Sequence, residues 1–419
     1  MIHQVKLPEL TRKRLTDVVA LQMRLLMYAS SVKALDQASC ANYLDRCAQF
    51  RSRGGQIAAW LWRSSKRCAA LQEFAQHAVL QEKRQWSKQL AREADALLRN
   101  PNGSFSPPTR KLLPAWQKAG IEFLCRFYDD LCSSAGLPGY LFSIPTAASF
   151  GRQEFLKEFV AENGSLYVCA VCDESGYRTH LDKGIYTDID HYFPRSLYPH
   201  LSCHPYNLIP ICHLCNSSIK RDKDPLQGRG KRLKLEDIFL PYRSGGIGTQ
   251  TYLKVTLATP PAVVRLGKLQ TREATDLRQK LAGLSNIYRI PERWEKRIDE
   301  IGEKLFRRMR QFFPDGQGVP LGFDMPQAVN NVLDQLLFYL NEEDQGRDPF
   351  AFAMTWWLAT LINQEVAPRR NNRSNSSSPL LAEIANWIRQ DLTSSRSRLE
   401  TARNIRKIAS GNNATQKPV

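Results

Sequence analysis

The chain has 419 residues, 42% of them hydrophobic, and a formal net charge of +18 at neutral pH. This length favours two or three domains, and the ordinary apolar content excludes a wholly disordered chain. The longest apolar stretch, Phe350 to Ile362, is too short to span a bilayer, and the N-terminus has no hydrophobic signal core. We therefore expect a cytoplasmic protein that does not contact a membrane, and the basic excess favours a polyanionic partner, although solvated basic faces would carry the same charge.

Residues 1–150 are predicted to form a helical N-terminal region. Near the start, apolar residues recur at helical offsets on one face, with Lys and Arg on the others: Leu15, Val18, Val19, Leu25 and Leu26. Asn100-Pro-Asn-Gly interrupts this pattern, and Trp116 to Cys132 resumes it. The stretch from Gly136 to Pro145 is rich in turn residues and predicts a boundary.

The composition changes within residues 151–245, where segments are short and Cys, His, Asp and Asn cluster. Residues 246–419 are predicted to be a helical C-terminal region that begins with an alternating, strand-like segment, Tyr252 to Leu257. An apolar stripe from Trp294 to Phe312 predicts a core-facing helix, and a polar linker is expected near 369–379. The predicted fold class is mainly α with an embedded α+β module.

Four of the ten cysteines form two C-x-x-C pairs within this central segment: Cys169, Cys172, Cys212 and Cys215. Two such pairs can supply four thiolates to one tetrahedral Zn²⁺, and metal binding would stabilise a segment that has little apolar core. We therefore expect a structural zinc site. Cys203, His204 or His213 could replace one of the four ligands.

Acidic, histidine, asparagine and basic residues lie between and just after these pairs. In order they are Asp188, Asp190, His191, Asn207, Asn216, Lys220 and Arg221. Hydrolysis of a phosphodiester needs a base for water and a cation for the charge on phosphorus. A neutral imidazole suits the base, so His191 is the candidate, and adjacent strand residues point to opposite sides, so Asp190 can bind a metal while His191 faces water.

The other residues of the cluster have expected roles as well. The oxygens of Asp190 and Asn216 are ligands that suit a catalytic Mg²⁺ or Mn²⁺. Lys220 and Arg221, a turn along the expected helix, could reach phosphate. His180, His200 and His204 have no partner in the pattern and are expected to be surface or loop residues.

The combined pattern resembles the HNH endonucleases, the ββα-metal or His-Me finger group. The matching motifs are D-x-D-H-x-x-P-x-S, N-L-x-P and C-x-x-C-N-x-x-x-K, and they cover residues 165–225 only. The resemblance implies that Asn207 pins a loop and helps fix His191. It also implies that Asp188 takes the outer acidic position, where it supports a ligand more often than it binds the ion. The family often has His where this chain has Asn216, which weakens the case for a soft catalytic metal.

The resemblance implies a nuclease that acts on DNA, in a prokaryotic restriction or antiviral defence setting, and double-strand cutting would need a homodimer or two successive nicks. A partner protein of such a system is a further expectation. Two alternatives remain open. One is a homing, phage-type or RNA-directed HNH nuclease. The other is an inactive, zinc-containing nucleic-acid-binding adaptor.

Overall fold

The computed structural model describes residues 2–99, 105, 113–144, 148–174, 178–180, 184–228, 232–246, 252–257, 264–271, 275–311, 334–340 and 345–366. The linker predicted near 369–379 lies outside the described residues. The first two residues aside, the chain divides into two compact units. The first contains His3–Val171 and Gly176–Gly246, and the second contains Cys172–Ser175 and Ile247–Val419.

The first unit is built mainly from helices. In chain order these are α1 Glu9–Ala29, α2 Gln37–Arg46, α3 Gly54–Arg63, α4 Ser65–Gln76, α5 Leu80–Arg99, α6 Ala115–Leu131 and α7 Arg152–Glu162. Asp36 begins α2 by accepting a hydrogen bond from the Ser39 backbone N–H, which satisfies one of the free amides at the helix start. The five apolar residues predicted on one face of α1 are all buried, so that prediction is confirmed.

Two short antiparallel strand pairs follow α7. Strand β1, Arg178–His180, pairs with β2, Gly184–Tyr186, and β3, Asp188–His191, pairs with β4, Leu208–Ile211. A seven-residue π-helical segment, Leu214–Lys220, comes directly after β4. Single π turns are uncommon and occur often at functional sites.

The β3–β4 pair packs into the same hydrophobic core as the helices. Ile189 of β3 and Leu208 of β4 belong to the buried cluster that also contains Leu15 of α1 and Phe127 of α6. The loop between the strands adds Phe193, whose ring lies 5.3 Å from that of Phe105. One core therefore joins residues of the predicted N-terminal region to residues of the predicted 151–245 module.

The second unit contains the antiparallel strands β5, Tyr252–Leu257, and β6, Val264–Gln270. Its helices include α8 Thr275–Tyr288, α9 Ile290–Lys296, α10 Ile298–Gln311 and α11 Ala351–Val366. Trp294, Ile301 and Leu305 of the predicted stripe are buried, whereas the side chains of Met309 and Phe312 lie outside the described residues. Glu174 accepts hydrogen bonds from Arg293 and Arg297 at 2.5 and 2.8 Å.

The described part of the chain is mainly helical, as predicted, with small two-stranded sheets. None of its helices combines the length and apolar content that crossing a membrane requires.

Candidate metal and active site

The four cysteines of the two C-x-x-C pairs converge. Their Sγ atoms all lie within 4.8 Å of one another, and none of the four forms a disulfide. Cys169, Cys172 and Cys215 are buried, and Cys212 is half-buried. Tetrahedral zinc with Zn–S bonds of about 2.3 Å separates its sulfurs by roughly 3.8 Å, so the arrangement fits the ion. The backbone N–H of Cys212 also donates to Cys169 Sγ at 3.4 Å. The cluster can hold one structural metal ion.

The three alternative zinc ligands have other surroundings. Cys203 is buried in the hydrophobic core, and His204 Nε2 lies 3.1 Å from the Ala94 carbonyl oxygen. His213 Nδ1 lies 2.8 Å from an oxygen of Asp188. Four thiolates therefore remain the donor set.

Two carboxylates of β3 face the helical segment Leu214–Lys220. Alternate residues of a strand share a face, so Asp188 and Asp190 point the same way. Asp188 Oδ2 accepts from Asn216 Nδ2 at 3.0 Å, and Asp190 Oδ1 accepts from Lys220 Nζ at 2.9 Å. Asn216 and Lys220 are one turn apart, so the two contacts lie side by side between strand and helix.

Lys220 has a different contact from the one the sequence suggested. Its side chain is 1% exposed and that of Asp190 is 2% exposed. Lys220 also donates to the His191 carbonyl oxygen at 2.6 Å. A buried carboxylate is stable as an ion only with a close positive partner, and Lys220 supplies it. Lys220 is therefore held by Asp190 and the His191 carbonyl oxygen, whereas Arg221 is exposed, and the phosphate contact of both residues stays a prediction.

His191 is partly exposed, and its ring is fixed from two sides. Its Nε2 donates to the Ser202 carbonyl oxygen at 3.0 Å, since a carbonyl can only accept, and the Tyr128 ring packs edge-on at 4.2 Å. Ser202 is itself tied to α6, because its hydroxyl donates to the Leu124 carbonyl oxygen at 3.0 Å. Loss of water around the ring lowers the pKa of His191 to about 3, so the imidazole is neutral and Nδ1 carries the lone pair.

Asn207 holds the loop that follows β3. It is fully buried, and its Oδ1 accepts from the Phe193 backbone N–H at 2.6 Å. Its Nδ2 donates to the carbonyl oxygens of Phe193 and Leu201 at 3.1 and 2.9 Å. These three bonds fix the ends of the loop that carries Ser202, and through Ser202 they fix the ring of His191.

Sequence reasoning missed two neighbours of His191. Tyr128 of α6 donates to the Ile189 carbonyl oxygen at 3.0 Å, and Arg195 lies 5.6 Å from the centre of the Tyr128 ring. Arg195 Nη1 also bonds Asp129 Oδ1 at 3.0 Å. Arg195 stands inside the D-x-D-H-x-x-P-x-S motif, so proximity in sequence could have pointed to it, but nothing in the sequence pointed to Tyr128.

The surface position expected for two of the histidines is wrong. His200 and His204 are both fully buried. His200 Nε2 lies 3.2 Å from Glu93 Oε2, and His204 Nδ1 accepts from the Tyr206 backbone N–H at 3.2 Å. Their place in the core explains the error, because nothing in the local sequence marks these two histidines as buried. The side chain of His180 lies outside the described residues.

The donors for a hard cation are chemically suitable. Asp188, Asp190 and Asn216 offer carboxylate and amide oxygens, the ligands that Mg²⁺ and Mn²⁺ prefer. An ion at Asp190 would share that carboxylate with the ammonium group of Lys220.

One short segment thus contributes to both parts of the site: Leu214–Lys220 contains Cys215 of the thiol cluster as well as Asn216 and Lys220. The two parts are therefore structurally linked, and a change in one is expected to affect the other.

No model of a known protein family matches this chain, and no curated protein and no solved structure matches it either.

Proposed function

We propose that this chain is a metal-dependent endonuclease of the HNH type that hydrolyses phosphodiester bonds in DNA. The observation that carries the proposal is the geometry of His191. Its neutral ring is oriented by the Ser202 carbonyl oxygen, and His191 is the last residue of a strand whose carboxylates meet Asn216 and Lys220. A general base beside oxygen donors is the combination that phosphodiester hydrolysis requires.

In the proposed mechanism His191 acts as the general base. With Nε2–H held by Ser202, the lone pair of Nδ1 takes a proton from water as the water oxygen attacks phosphorus. The bond from phosphorus to the 3′ oxygen breaks, and the leaving oxygen takes a proton from solvent. The protonated ring then remains bound to the same carbonyl. Asp190 and Asn216 would hold Mg²⁺ or Mn²⁺, which supplies positive charge to the phosphate and to the leaving oxygen.

The thiol cluster has a separate, structural role in this proposal. A zinc ion bound by the four cysteines would fix Cys212 and Cys215 against Cys169, and with them the start of the segment that carries Asn216. Zinc would thereby set the distance between Asn216 and β3.

The test is cleavage of supercoiled plasmid by the full chain with Mg²⁺, with Mn²⁺ and with EDTA. Wild type should nick or linearise the plasmid with either ion and not with EDTA. His191→Ala should lose cleavage and keep DNA binding and its melting temperature. His77→Ala, a histidine outside the site, is the matched control and should cut like wild type. Equal cleavage by His191→Ala and wild type would show that the proposed base is wrong.

One observation favours a second candidate function. The ammonium group of Lys220 already neutralises Asp190, as it would in a protein that binds nucleic acid through its basic surface and no longer needs a catalytic ion. Titration of the zinc-loaded protein with Mn²⁺, measured by calorimetry, distinguishes the nuclease from the adaptor. One additional Mn²⁺ that is lost in Asp190→Asn supports the nuclease, and no binding beyond zinc supports the adaptor. Plasmid, phage DNA and RNA assayed in parallel identify the substrate. A restriction or defence setting rests on the motif resemblance alone.

A further inference from the structure

We infer that Arg195 is the residue that binds the substrate phosphate beside His191. The inference rests on the proposed function and adds a substrate contact to it. The Arg195 side chain is 46% exposed and follows β3 by four residues. Its guanidinium lies 5.6 Å from the centre of the Tyr128 ring, which in turn packs 4.2 Å from the ring of His191. A phosphate that approaches His191 therefore meets this guanidinium at the same surface.

Lys220, the other cation next to His191, does not suit this role. Its ammonium group is buried between Asp190 and the His191 carbonyl oxygen. Moving it to a phosphate would leave Asp190 buried without its positive partner, which is strongly unfavourable. Arg195 has no such restriction, because its ion pair is open to solvent.

Loss of the ion pair between Arg195 and Asp129 costs little stability. Asp129 is 44% exposed, and exposed ion pairs contribute little to stability. Asp129 also pairs with Arg126 at 3.3 Å, so it keeps a cation when Arg195 turns to a phosphate. The face of Tyr128 meanwhile limits the positions of the guanidinium, which can then offer two parallel N–H donors to phosphate oxygens.

Arg195 could instead have only a structural role, in which its ion pair with Asp129 holds α6 against the loop after β3. We call this second role a clamp. The two roles differ in their effect on the salt dependence of DNA binding. A bound phosphate releases counterions, so each such contact contributes about 0.9 to the slope of log Kobs against log salt for duplex DNA. A clamp contributes nothing to that slope. A guanidinium and an ammonium also differ, because only the guanidinium forms the two-pronged contact.

The experiment compares Arg195→Ala, Arg195→Lys and the control Arg126→Ala, all in the full chain. Duplex binding is followed by fluorescence anisotropy over a range of KCl concentrations with His191→Ala as the background, and cleavage rates are measured without that background. Arg195→Ala should lower the salt slope by about 0.9, weaken binding about tenfold and slow cleavage at least tenfold. Arg195→Lys should restore the slope but not the full rate, and Arg126→Ala should resemble its parent.

The inference is overturned if Arg195→Ala keeps the parental salt slope, or if Arg126→Ala loses as much as Arg195→Ala does. Should Arg195→Ala fold poorly, the split between slope and rate in Arg195→Lys decides the question. A wild-type protein that cuts nothing would refute the proposed nuclease, while the salt slopes would still decide whether Arg195 binds phosphate.

Discussion

Replacement of Lys220 by Met tests the buried pair at the centre of the site. Met matches the length of the lysine stem but removes the ammonium group that lies 2.9 Å from Asp190 and 2.6 Å from the His191 carbonyl oxygen. Both side chains are at most 2% exposed, so water does not replace the lost partner. Breaking a buried pair of this kind costs about 3–5 kcal/mol. For a unit of this size that corresponds to a decrease in Tm of about 6–20 °C.

Differential scanning calorimetry of the zinc-loaded protein measures this change. Asp190→Leu combined with Lys220→Met removes both charges and should recover most of the lost stability, because neither charge is then left buried alone. A single Lys220→Met variant that melts within 2 °C of wild type would refute this account of the pair. So would a double variant no more stable than the single one.

Three further predictions concern stability. Cys215→Ser should leave the protein without its stoichiometric zinc, as measured by elemental analysis, and should lower its Tm, whereas Cys47→Ser, outside the cluster, should change neither. Asn207→Ala removes three hydrogen bonds from a fully buried position and should cost about 2–4 kcal/mol in urea unfolding, with Asn207→Asp intermediate because it keeps the acceptor. Burial lowers the pKa of His204 from 6.5 to about 3, so below pH 6.5 the unfolded chain binds a proton that the folded chain does not. His204 should therefore contribute a loss of stability of about 1.4 kcal/mol per pH unit as the pH drops from 6.5 towards 3. His191 should contribute a similar loss, so His204→Gln should remove only the part of the slope that comes from His204.

The parts of the site that could be predicted from sequence are those set by local spacing. Two C-x-x-C pairs each bring two thiols together within one turn, and the four sulfurs do converge. The helical face of α1 follows from a repeat of three and four residues, and its apolar residues are buried. The pairing of β3 with β4 places Asp190 and His191 on opposite faces, as the alternation along a strand requires.

The parts that could not be predicted depend on contacts distant in sequence. Tyr128 reaches the Ile189 carbonyl oxygen across 61 positions, and no local pattern encodes that pairing. Lys220 was expected to reach a phosphate. Its contact with the buried carboxylate of Asp190 is visible only in three dimensions. The same applies to His204, whose partner Ala94 lies 110 positions away.

The hydrophobic core that strands β3 and β4 share with the helices of the first unit determines which fragments of the chain can be prepared. A fragment that spans only residues 151–245 would expose the apolar faces of Ile189, Phe193 and Leu208, which in the whole chain contact helices that precede it. It would also lack Tyr128 and Leu124, which orient the histidine and its loop. Excising the motif-bearing segment should therefore yield an aggregating peptide with or without zinc. A cut at residue 246 would also separate Cys172 from the rest of the unit to which it belongs.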